Sequence, residues 1–335
     1  MELRILSERD VRSLLSMSEA IDVQAEAFRI LAEDRLVEGL RSFAVSETPP
    51  GIAIFNPSFL KAGRGYGVKV VSDFYENERK AVPRMTALVA MFDGETGRPT
   101  TVMEGGHLTD LRTGAGTGLA ARLLARKDSR TVVVIGAGRV ARNQLEAIAE
   151  VCPLEKVRVS TRTEKRGREF IERMAGLGGR VPTDIELVES REAAVGDADI
   201  VVVATTSHTP VLPGAALKPG TFVVSAGAYE ATAREVDTET IRRASKWVVD
   251  SRTDCMANAG DLLVPIQEGV IREDQVAGIA DLVDGRRPGR ESDDEITYYK
   301  SMGVPIQDLV TAQHIERRAV ERGAGVLIDI GGDED

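Results

Sequence analysis

The chain has 335 residues, of which 42% are hydrophobic and 29% are charged. This length exceeds one ordinary hydrophobic core and predicts two domains, and the composition excludes disordered and fibrous classes. The 53 acidic and 43 basic residues give a net charge of −10. Because nucleic-acid binders present a basic surface, this balance argues against a nucleic-acid partner.

Cysteine usage and apolar runs bear on where the protein works. Cys152 and Cys255 lie far apart in the sequence, which excludes a disulfide framework and favours a reducing, cytoplasmic location. The N-terminus lacks the basic and apolar regions of a signal peptide. The longest apolar runs have only strand length, so no membrane span is expected. The three histidines have no cysteine or carboxylate at ligand spacing, and no metal site is predicted.

The first third of the chain mixes helical and strand patterns. Apolar residues recur at helical spacing between Ile21 and Phe28, after the candidate N-cap Ser18. Turn residues between the last two strand-like runs predict antiparallel pairing. We therefore expect a sheet with helices on one side. The strand-like runs lie at residues 42–46, 67–72, 86–92 and 100–104.

Strands and helices alternate further along the chain, after a predicted helix over residues 109–126. Such alternation predicts a parallel sheet with crossover helices. A last helix is predicted over residues 305–322, and we expect it to pack on the first region and make that domain discontinuous. The alternating strands are predicted at residues 131–135, 157–161, 184–188, 200–204, 221–225 and 247–250, with helices at 139–151 and 164–175.

The buried strand at residues 131–135 leads directly into Gly-Ala-Gly-Arg-Val-Ala and then into a helix. Gly136 permits a tight turn, Gly138 lets the backbone approach a pyrophosphate, and Ala141 allows close packing of helix on strand. The backbone N–H groups and the positive end of the helix would hold the phosphates. The pattern predicts a Rossmann dinucleotide site, against the alternative of a tight turn in another α/β protein.

Residues after the second alternating strand bear on the choice between NAD and NADP. An acidic residue there would bind the ribose 2′-hydroxyl of NAD, but Ser160, Thr161 and Arg162 offer no acid. Arg162 and Arg166 could instead bind a 2′-phosphate, which guanidinium groups suit. NADP(H) is therefore favoured, with NAD(H) possible. The alternative is that these cations are simply solvated at a helix start, near Glu164.

Short motifs spread along the chain are similar to those of one known family. The most specific is Leu-Thr-Asp-Leu-Arg-Thr-Gly-Ala at residues 108–115. On these motifs the chain resembles the ornithine cyclodeaminase/mu-crystallin family along most of its length. The resemblance implies an α/β protein with a Rossmann domain (residues 116–304) inserted in a discontinuous α+β domain (1–115 plus 305–335). The other motifs lie at residues 67–72, 81–83, 96–99, 136–141, 234–237, 250–252, 260–263, 292–297, 300–303 and 307–308.

The family includes cyclodeaminases, alanine and arginine dehydrogenases, and imine or ketimine reductases, which transfer hydride between a nicotinamide and the α-carbon of an amino or imino acid. The resemblance implies that Arg41, Lys69 and Arg112 hold the substrate α-carboxylate. Lys69 and Arg112 are the catalytic candidates, with Lys69 as proton donor or relay, since burial among arginines would lower its pKa. The alternative role, a salt-bridged surface residue, is strongest for Arg41. The resemblance also implies a homodimer formed through the α+β domain.

Two further residues are expected to contact the substrate, Arg84 and Tyr229. Arg84 stands where the family usually has threonine or serine, and would bind a second anionic group. The alternative is that Arg84 turns outward or pairs with Glu104. The expected cofactor contacts are Arg112, Thr113, Gly136, Gly138, Arg139, Val140, Ser160, Thr161, Arg162, Arg166, Thr205, Thr206, Ser207 and Gly227.

Two acid–base groups of the cyclodeaminases are missing. Ile54 stands where they carry a glutamate, and Tyr229 stands where they carry an aspartate, with Glu230 as a neighbouring substitute. The leading hypothesis is thus NAD(P)H-dependent reduction of an imine of a 2-oxo acid, or the reverse amino-acid dehydrogenase reaction. The alternatives are a cyclodeaminase with bound NAD and a non-catalytic, crystallin-like binding protein. The retained Lys69 and Arg112 argue for catalysis.

Overall fold

The computed structural model describes residues 1–38, 41–61 and 63–331. It divides into two compact units: residues 1–112 with 305–335 form unit 1, and residues 113–304 form unit 2. The chain leaves unit 1 within a single helix and returns to it at Pro305. Within the described ranges, no helix is both long enough and apolar enough to cross a membrane.

The elements are numbered in chain order. The helices are α1 (Glu8–Leu14), α2 (Met17–Ala32), α3 (Gly105–Leu124), α4 (Arg139–Val151), α5 (Glu164–Met174), α6 (Arg191–Gly196), α7 (Thr238–Arg243), α8 (Arg252–Asn258), α9 (Gly260–Gln267), α10 (Ile279–Val283) and α11 (Pro305–Arg322). The strands are β1 (Glu2–Leu6), β2 (Leu36–Glu38), β3 (Ser42–Glu47), β4 (Pro50–Leu60), β5 (Tyr66–Phe74), β6 (Met85–Phe92), β7 (Pro99–Glu104), β8 (Thr131–Ile135), β9 (Lys156–Ser160), β10 (Ile185–Leu187), β11 (Ile200–Val203), β12 (Phe222–Ser225), β13 (Lys246–Val249), β14 (Ala277–Gly278), β15 (Thr297–Lys300) and β16 (Val326–Asp329).

Unit 1 is built on a mixed sheet in the order β16-β1-β7-β6-β5-β4-β2, with β3 paired to β4. The strands from β3 to β7 pair antiparallel, and β1 lies parallel to β7. Helix α11 packs on β4, β5 and β6 and also against α2. Because side chains alternate between the faces of a strand, one face of these strands lies under α11 and the other faces away from it.

Two helix starts in unit 1 differ from the prediction. Helix α2 begins after Ser16, whose hydroxyl accepts a hydrogen bond from the Glu19 N–H while the Glu19 carboxylate accepts one from the Ser16 N–H. This capping box satisfies the helix end, so the predicted cap Ser18 is wrong. Helix α3 begins at Gly105 rather than residue 109. The carboxylate of Glu104 accepts from the N–H groups of the next residues, Gly106 and His107, and thereby caps it.

Unit 2 contains a parallel sheet in the order β10-β9-β8-β11-β12-β15-β13-β14. The direction in which strands are added reverses at β8, as in doubly wound dinucleotide-binding folds. Each strand predicted between residues 131 and 250 is present, with ends shifted by at most one residue. The central strands are fully buried, as expected for a sheet covered on both faces. The predicted fold class is confirmed. Strand β15, which lies between β12 and β13, was not predicted.

Candidate active site

A buried carboxylate joins two cations in unit 1. Lys69 lies on the β5 face that is covered by α11, and its Nζ is 2.7 Å from Oδ2 of Asp308 on that helix. Arg112 donates from Nε to the other oxygen of Asp308 at 2.8 Å. The exposed fractions are only 5% for Lys69, 7% for Arg112 and 5% for Asp308. This Lys69–Asp308–Arg112 cluster therefore holds two positive charges and one negative charge away from water.

Burial sets the protonation equilibria of the cluster. It lowers the pKa of Lys69 to about 8, with Asp308 opposing the shift and Arg112 adding to it. Burial alone would raise the pKa of Asp308, but the charges of Arg112 and Lys69 hold it below its ordinary value. Asp308 is thus an anion near neutral pH, and Lys69 can gain or lose a proton close to that pH. The cluster keeps a net positive charge that an anionic ligand would neutralise.

Arg41 lies beside this cluster. It immediately precedes β3, and its Nε donates to Oδ1 of Asn56 at 2.8 Å. Asn56 is directly opposite Lys69 in the antiparallel pairing of β4 and β5, and such pairs have Cβ atoms about 5 Å apart. The structure therefore brings Arg41, Lys69 and Arg112 together. Within the part of the chain that is described, the terminal guanidinium nitrogens of Arg41 have no protein partner.

An apolar row follows the cations on the same face of the sheet. Ile54, Val71 and Ala87 are directly opposite one another on β4, β5 and β6. They lie two residues along their strands from the Asn56–Lys69 pair, a step of about 7 Å. Among the residues described, this row therefore offers aliphatic groups and no carboxylate.

Arg84 is held by an acid at the far end of this face. Its Nε and Nη2 donate to the two carboxylate oxygens of Asp73 at 2.7 and 3.0 Å, and its guanidinium lies over the ring of Tyr75 at 5.1 Å. Glu104, the partner considered from the sequence, caps α3 instead. The bidentate pair with Asp73 already satisfies two donors of Arg84, which weakens the case for a substrate contact.

The phosphate-binding turn of unit 2 has the geometry that its glycines allow. Gly136 has a φ of 114°, and a Cβ there would lie 2.2 Å from the Ala204 carbonyl oxygen, so only glycine fits. At Gly138, a Cβ would meet nothing within 4 Å, which leaves open space beside the backbone. Gly138 also precedes the first residues of α4, Arg139 and Val140, and provides no side-chain cap. This uncapped helix N-terminus fits a pyrophosphate group.

The end of β9 carries the residues expected to distinguish NADP from NAD. Ser160 is the last residue of the strand, Thr161 is half-buried, and Arg162 is exposed. Among the residues described, neither Arg162 nor Arg166 has an ion-pair partner, whereas Arg168 on the same helix pairs with Glu164.

A third arginine, not predicted from the sequence, reaches the end of β9. Arg191 at the start of α6 donates from Nε to the Ser160 hydroxyl at 3.2 Å and from Nη1 to the Val211 carbonyl at 2.9 Å. It lies about thirty residues from Ser160 in sequence, so no local pattern pointed to it.

The remaining predicted residues of unit 2 lie on loops or at the unit boundary. Thr113 follows Arg112 in α3, and its carbonyl accepts from Gln144 of α4 at 3.4 Å. Thr205, Thr206 and Ser207 follow β11, whereas Gly227 and the exposed Tyr229 follow β12. The carboxyl ends of neighbouring parallel strands share one edge of a sheet, so these two loops are neighbours. A buried acid, Glu235, accepts hydrogen bonds from both loops.

Comparison with known proteins places the chain among amino-acid and imino-acid enzymes. The model of the ornithine cyclodeaminase/mu-crystallin family matches residues 1–323. The Delta(1)-pyrroline-2-carboxylate reductase of Bacillus cereus is 32% identical over 326 residues, which is 97% of this chain and 99% of that protein.

Two solved structures are similar over nearly the whole chain. Thermococcus litoralis Delta(1)-pyrroline-2-carboxylate reductase, in complex with NADH and L-proline, gives a TM-score of 0.89 at 39% identity and covers 96% of this chain and 99% of its own. An archaeal alanine dehydrogenase dimer with bound NAD gives 0.88 at 32% identity and covers 99% and 100%. The resemblance seen in the motifs is confirmed, and this chain belongs to the ornithine cyclodeaminase/mu-crystallin family.

Proposed function

We propose that the protein is an NAD(P)H-dependent imine reductase whose substrate is a small cyclic imino acid of the pyrroline-2-carboxylate type. In broader terms, the chain is an NAD(P)-dependent oxidoreductase that acts on the C–N bond of an amino or imino acid. The observation that carries the finer proposal is the buried Lys69–Asp308–Arg112 cluster with Arg41 beside it.

The cations would bind the substrate α-carboxylate. The cluster has a net positive charge in a water-poor environment, so an incoming carboxylate gains charge-assisted hydrogen bonds that water does not weaken. Holding the carboxylate at two or three points fixes the adjacent α-carbon, which is the atom that must accept hydride. Bound NAD(P)H supplies that hydride.

Lys69 would deliver the proton that the reduced imine nitrogen requires. A general acid works best when its pKa is near the operating pH, and burial lowers the pKa of Lys69 to about 8. Asp308 holds the Lys69 ammonium, with Nζ 2.7 Å from Oδ2. Its negative charge also limits the fall in the pKa of Lys69. In the reverse direction, neutral Lys69 would remove the proton from a cyclic amino acid.

The apolar row narrows the substrate class. Ile54, Val71 and Ala87 lie next to the cations, so the substrate group beyond the carboxylate should be aliphatic. A diamino acid would place a second ammonium against these side chains without a carboxylate partner, which is costly. This argues against the ornithine cyclodeaminase alternative. The non-catalytic alternative does not account for a lysine buried at the cost of a lowered pKa.

We expect purified protein to oxidise NAD(P)H in the presence of Δ1-pyrroline-2-carboxylate or its six-membered homologue, because a carboxylate and an aliphatic ring match this site. Turnover with these imines should exceed turnover with a dicarboxylic imine by about tenfold or more. Arg84 already pairs with Asp73, so it would not bind the second carboxylate. The absorbance of reduced cofactor at 340 nm measures both rates. Ammonia release from ornithine without net cofactor oxidation would instead establish the cyclodeaminase alternative.

The Lys69→Met variant should lose about 10²- to 10⁴-fold in kcat for imine reduction, the usual contribution of a general acid. In the wild type, Lys69 is protonated below its pKa of about 8, so kcat/KM for reduction should be level below that pH and fall above it. Amino-acid oxidation should show the opposite slope. Lys61→Met, which removes an exposed lysine of the same unit, is the control. An unchanged pH profile in Lys69→Met would refute the role.

NADP(H) is the cofactor that we propose the enzyme prefers. Arg162 and Arg166 follow β9 without carboxylate partners among the described residues, and the adenosine ribose of a dinucleotide binds near the end of this strand. Two guanidinium groups there would neutralise a 2′-phosphate through charge-assisted hydrogen bonds, which are stronger than the neutral-acceptor bonds that a 2′-hydroxyl could accept. The solved relatives carry NADH or NAD, so NAD(H) is the alternative.

Replacing Arg162 and Arg166 together by alanine should raise the KM for NADPH by about 10- to 100-fold, since charge-assisted hydrogen bonds contribute about 1.5–3 kcal/mol. The KM for NADH should stay the same. Arg168→Ala is the matched control, because this arginine lies on the same helix but pairs with Glu164. A wild-type enzyme with equal kcat/KM for both cofactors would contradict the proposed preference, and a higher kcat/KM for NADH would establish the NAD(H) alternative.

We also propose a homodimer formed through the face of the unit 1 sheet that lies opposite α11. Val70 is next to Lys69 in sequence and therefore points to this face, and Leu88 is directly opposite Val70 and is 56% exposed. Phe59, Tyr66 and Phe92 stack there with centroid separations of 5.2 and 4.7 Å. An exposed face that carries such apolar and aromatic side chains is typical of a protein–protein interface.

The Leu88→Lys variant should therefore shift the protein from dimer to monomer in sedimentation velocity, because a lysine would carry an unpaired charge into the interface. Val320→Lys, which changes an equally exposed apolar residue on α11, should leave the dimer intact. A wild-type protein that sediments as a monomer at micromolar concentration would rule out this interface.

A further inference from the structure

We propose that Glu235 is a positioning residue for the nicotinamide half of the cofactor, because its buried carboxylate connects the loop after β11 to the loop after β12. This inference rests on the proposed function, since it assumes that NAD(P)H binds at the carboxyl edge of the unit 2 sheet. Glu235 is a buried acid with 0% exposure, and neither substrate nor phosphate binding accounts for it.

Each oxygen of Glu235 serves one loop. Oε1 accepts from the N–H and the hydroxyl of Thr205 at 2.6 and 2.9 Å. Oε2 accepts from the N–H groups of Gly227 and Ala228 at 2.5 and 2.9 Å. Four donors from two loops therefore converge on one carboxylate, whose two oxygens accept all four hydrogen bonds. We call this arrangement the Glu235 bridge.

The loops approach so closely that the bridge requires glycine. A Cβ on Gly227 would lie 2.2 Å from the Thr205 carbonyl oxygen and 2.5 Å from Oε1 of Glu235. No other residue fits between the two loops without moving one of them. The bridge thus fixes the separation of the loops as well as their hydrogen bonding.

The bridge is itself anchored to the sheet. Asp261 is fully buried and accepts from the N–H groups of Glu235 and Val236 at 2.7 and 3.1 Å. Its second oxygen accepts from the Ser225 hydroxyl at 2.6 Å and from Lys300 at 2.8 Å. Lys300 is also 0% exposed, so the ion pair is shielded from solvent. Through Asp261, the position of Glu235 is set by β12 and β15, the strands of Ser225 and Lys300.

The position of the bridge in the sheet assigns it to one half of the cofactor. In a doubly wound sheet, the adenosine half binds on one side of the strand where the order reverses and the nicotinamide half on the other. The reversal here is at β8, with β9 and β10 on one side and β11 and β12 on the other. Both loops held by Glu235 belong to the β11–β12 side. Its hydrogen bonds in the described structure involve neither the glycine turn nor the end of β9.

Substitution of Glu235 by glutamine should release one loop. Both oxygens of Glu235 face hydrogen-bond donors, so either orientation of the new side-chain amide would place its NH₂ group against the N–H groups of Thr205 or of Gly227. The adenosine side would keep its geometry. Loss of a loop contact should therefore weaken binding of the intact dinucleotide but not binding of an adenosine fragment. General destabilisation of the protein would weaken binding of both.

The test compares full-length wild type with Glu235→Gln. Titration calorimetry would give the Kd for NAD(P)H and for the adenosine fragment of the preferred cofactor, 2′,5′-ADP or ADP, and steady-state rates would give kcat for imine reduction. We expect the Kd for NAD(P)H to rise and kcat to fall by about tenfold each, the effect of losing one or two hydrogen bonds, with the fragment Kd changing by less than about twofold. Glu235→Asp, which retains the charge but shortens the side chain, should show the same split to a smaller degree.

Asp199→Asn is the matched control for a purely structural effect. Asp199 is also a buried carboxylate, and it accepts from the N–H groups of Arg130 and Thr131 at 2.8 and 3.0 Å, but at the opposite edge of the same sheet. This variant should lower thermal stability without changing the ratio of the two Kd values. If both Glu235 variants bound the cofactor and the fragment more weakly by the same factor, or bound both as tightly as the wild type, the proposed role of the Glu235 bridge would be refuted. The activity of the wild type would still support the proposed function. A wild type that binds no NAD(P)H would overturn both.

Discussion

The proposed chemistry depends on the ion pairs that the Asp308 carboxylate makes with Lys69 and Arg112. Without this carboxylate, Lys69 and Arg112 would be two like charges buried side by side, and desolvation would drive the lysine to its neutral form. With it, both cations keep defined positions, and the pKa of Lys69 falls only to about 8. The site thus retains enough positive charge to attract a carboxylate. It also retains a proton on Lys69 that can be transferred to the substrate.

Buried carboxylates hold hydrogen-bond donors in fixed positions in both units. Asp308 holds side-chain cations in unit 1, whereas Glu235 and Asp261 hold backbone N–H groups at the carboxyl edge of the unit 2 sheet. In each case, a charge that is expensive to bury is compensated by several donors, and the donors become fixed as a result. Groups fixed before the ligand arrives lose little freedom when it binds, which favours both affinity and catalysis.

The sequence predicted several parts of this structure that depend on local pattern, but not strands β1 and β4 of unit 1. The strand, glycine turn and helix at residues 131–151 follow from short-range stereochemistry and are present as predicted. Strand β15 was missed because its Thr-Tyr-Tyr-Lys sequence lacks the usual apolar run. Asp308 and Glu235 lie in motifs that were noted, but their partners are far away in sequence. Only the fold brings Asp308 to Lys69, and no spacing rule could have assigned its role.

The central claim is that a carboxylate held by these cations presents its α-carbon to the nicotinamide. Tracing the transferred hydrogen tests it most directly: Δ1-pyrroline-2-carboxylate would be reduced with NAD(P)H deuterated at both C4 positions, and the proline formed would be examined by proton NMR. We predict one deuterium at the α-carbon and none elsewhere in the product. Proline with hydrogen at the α-carbon, or deuterium at any other carbon, would contradict the mechanism.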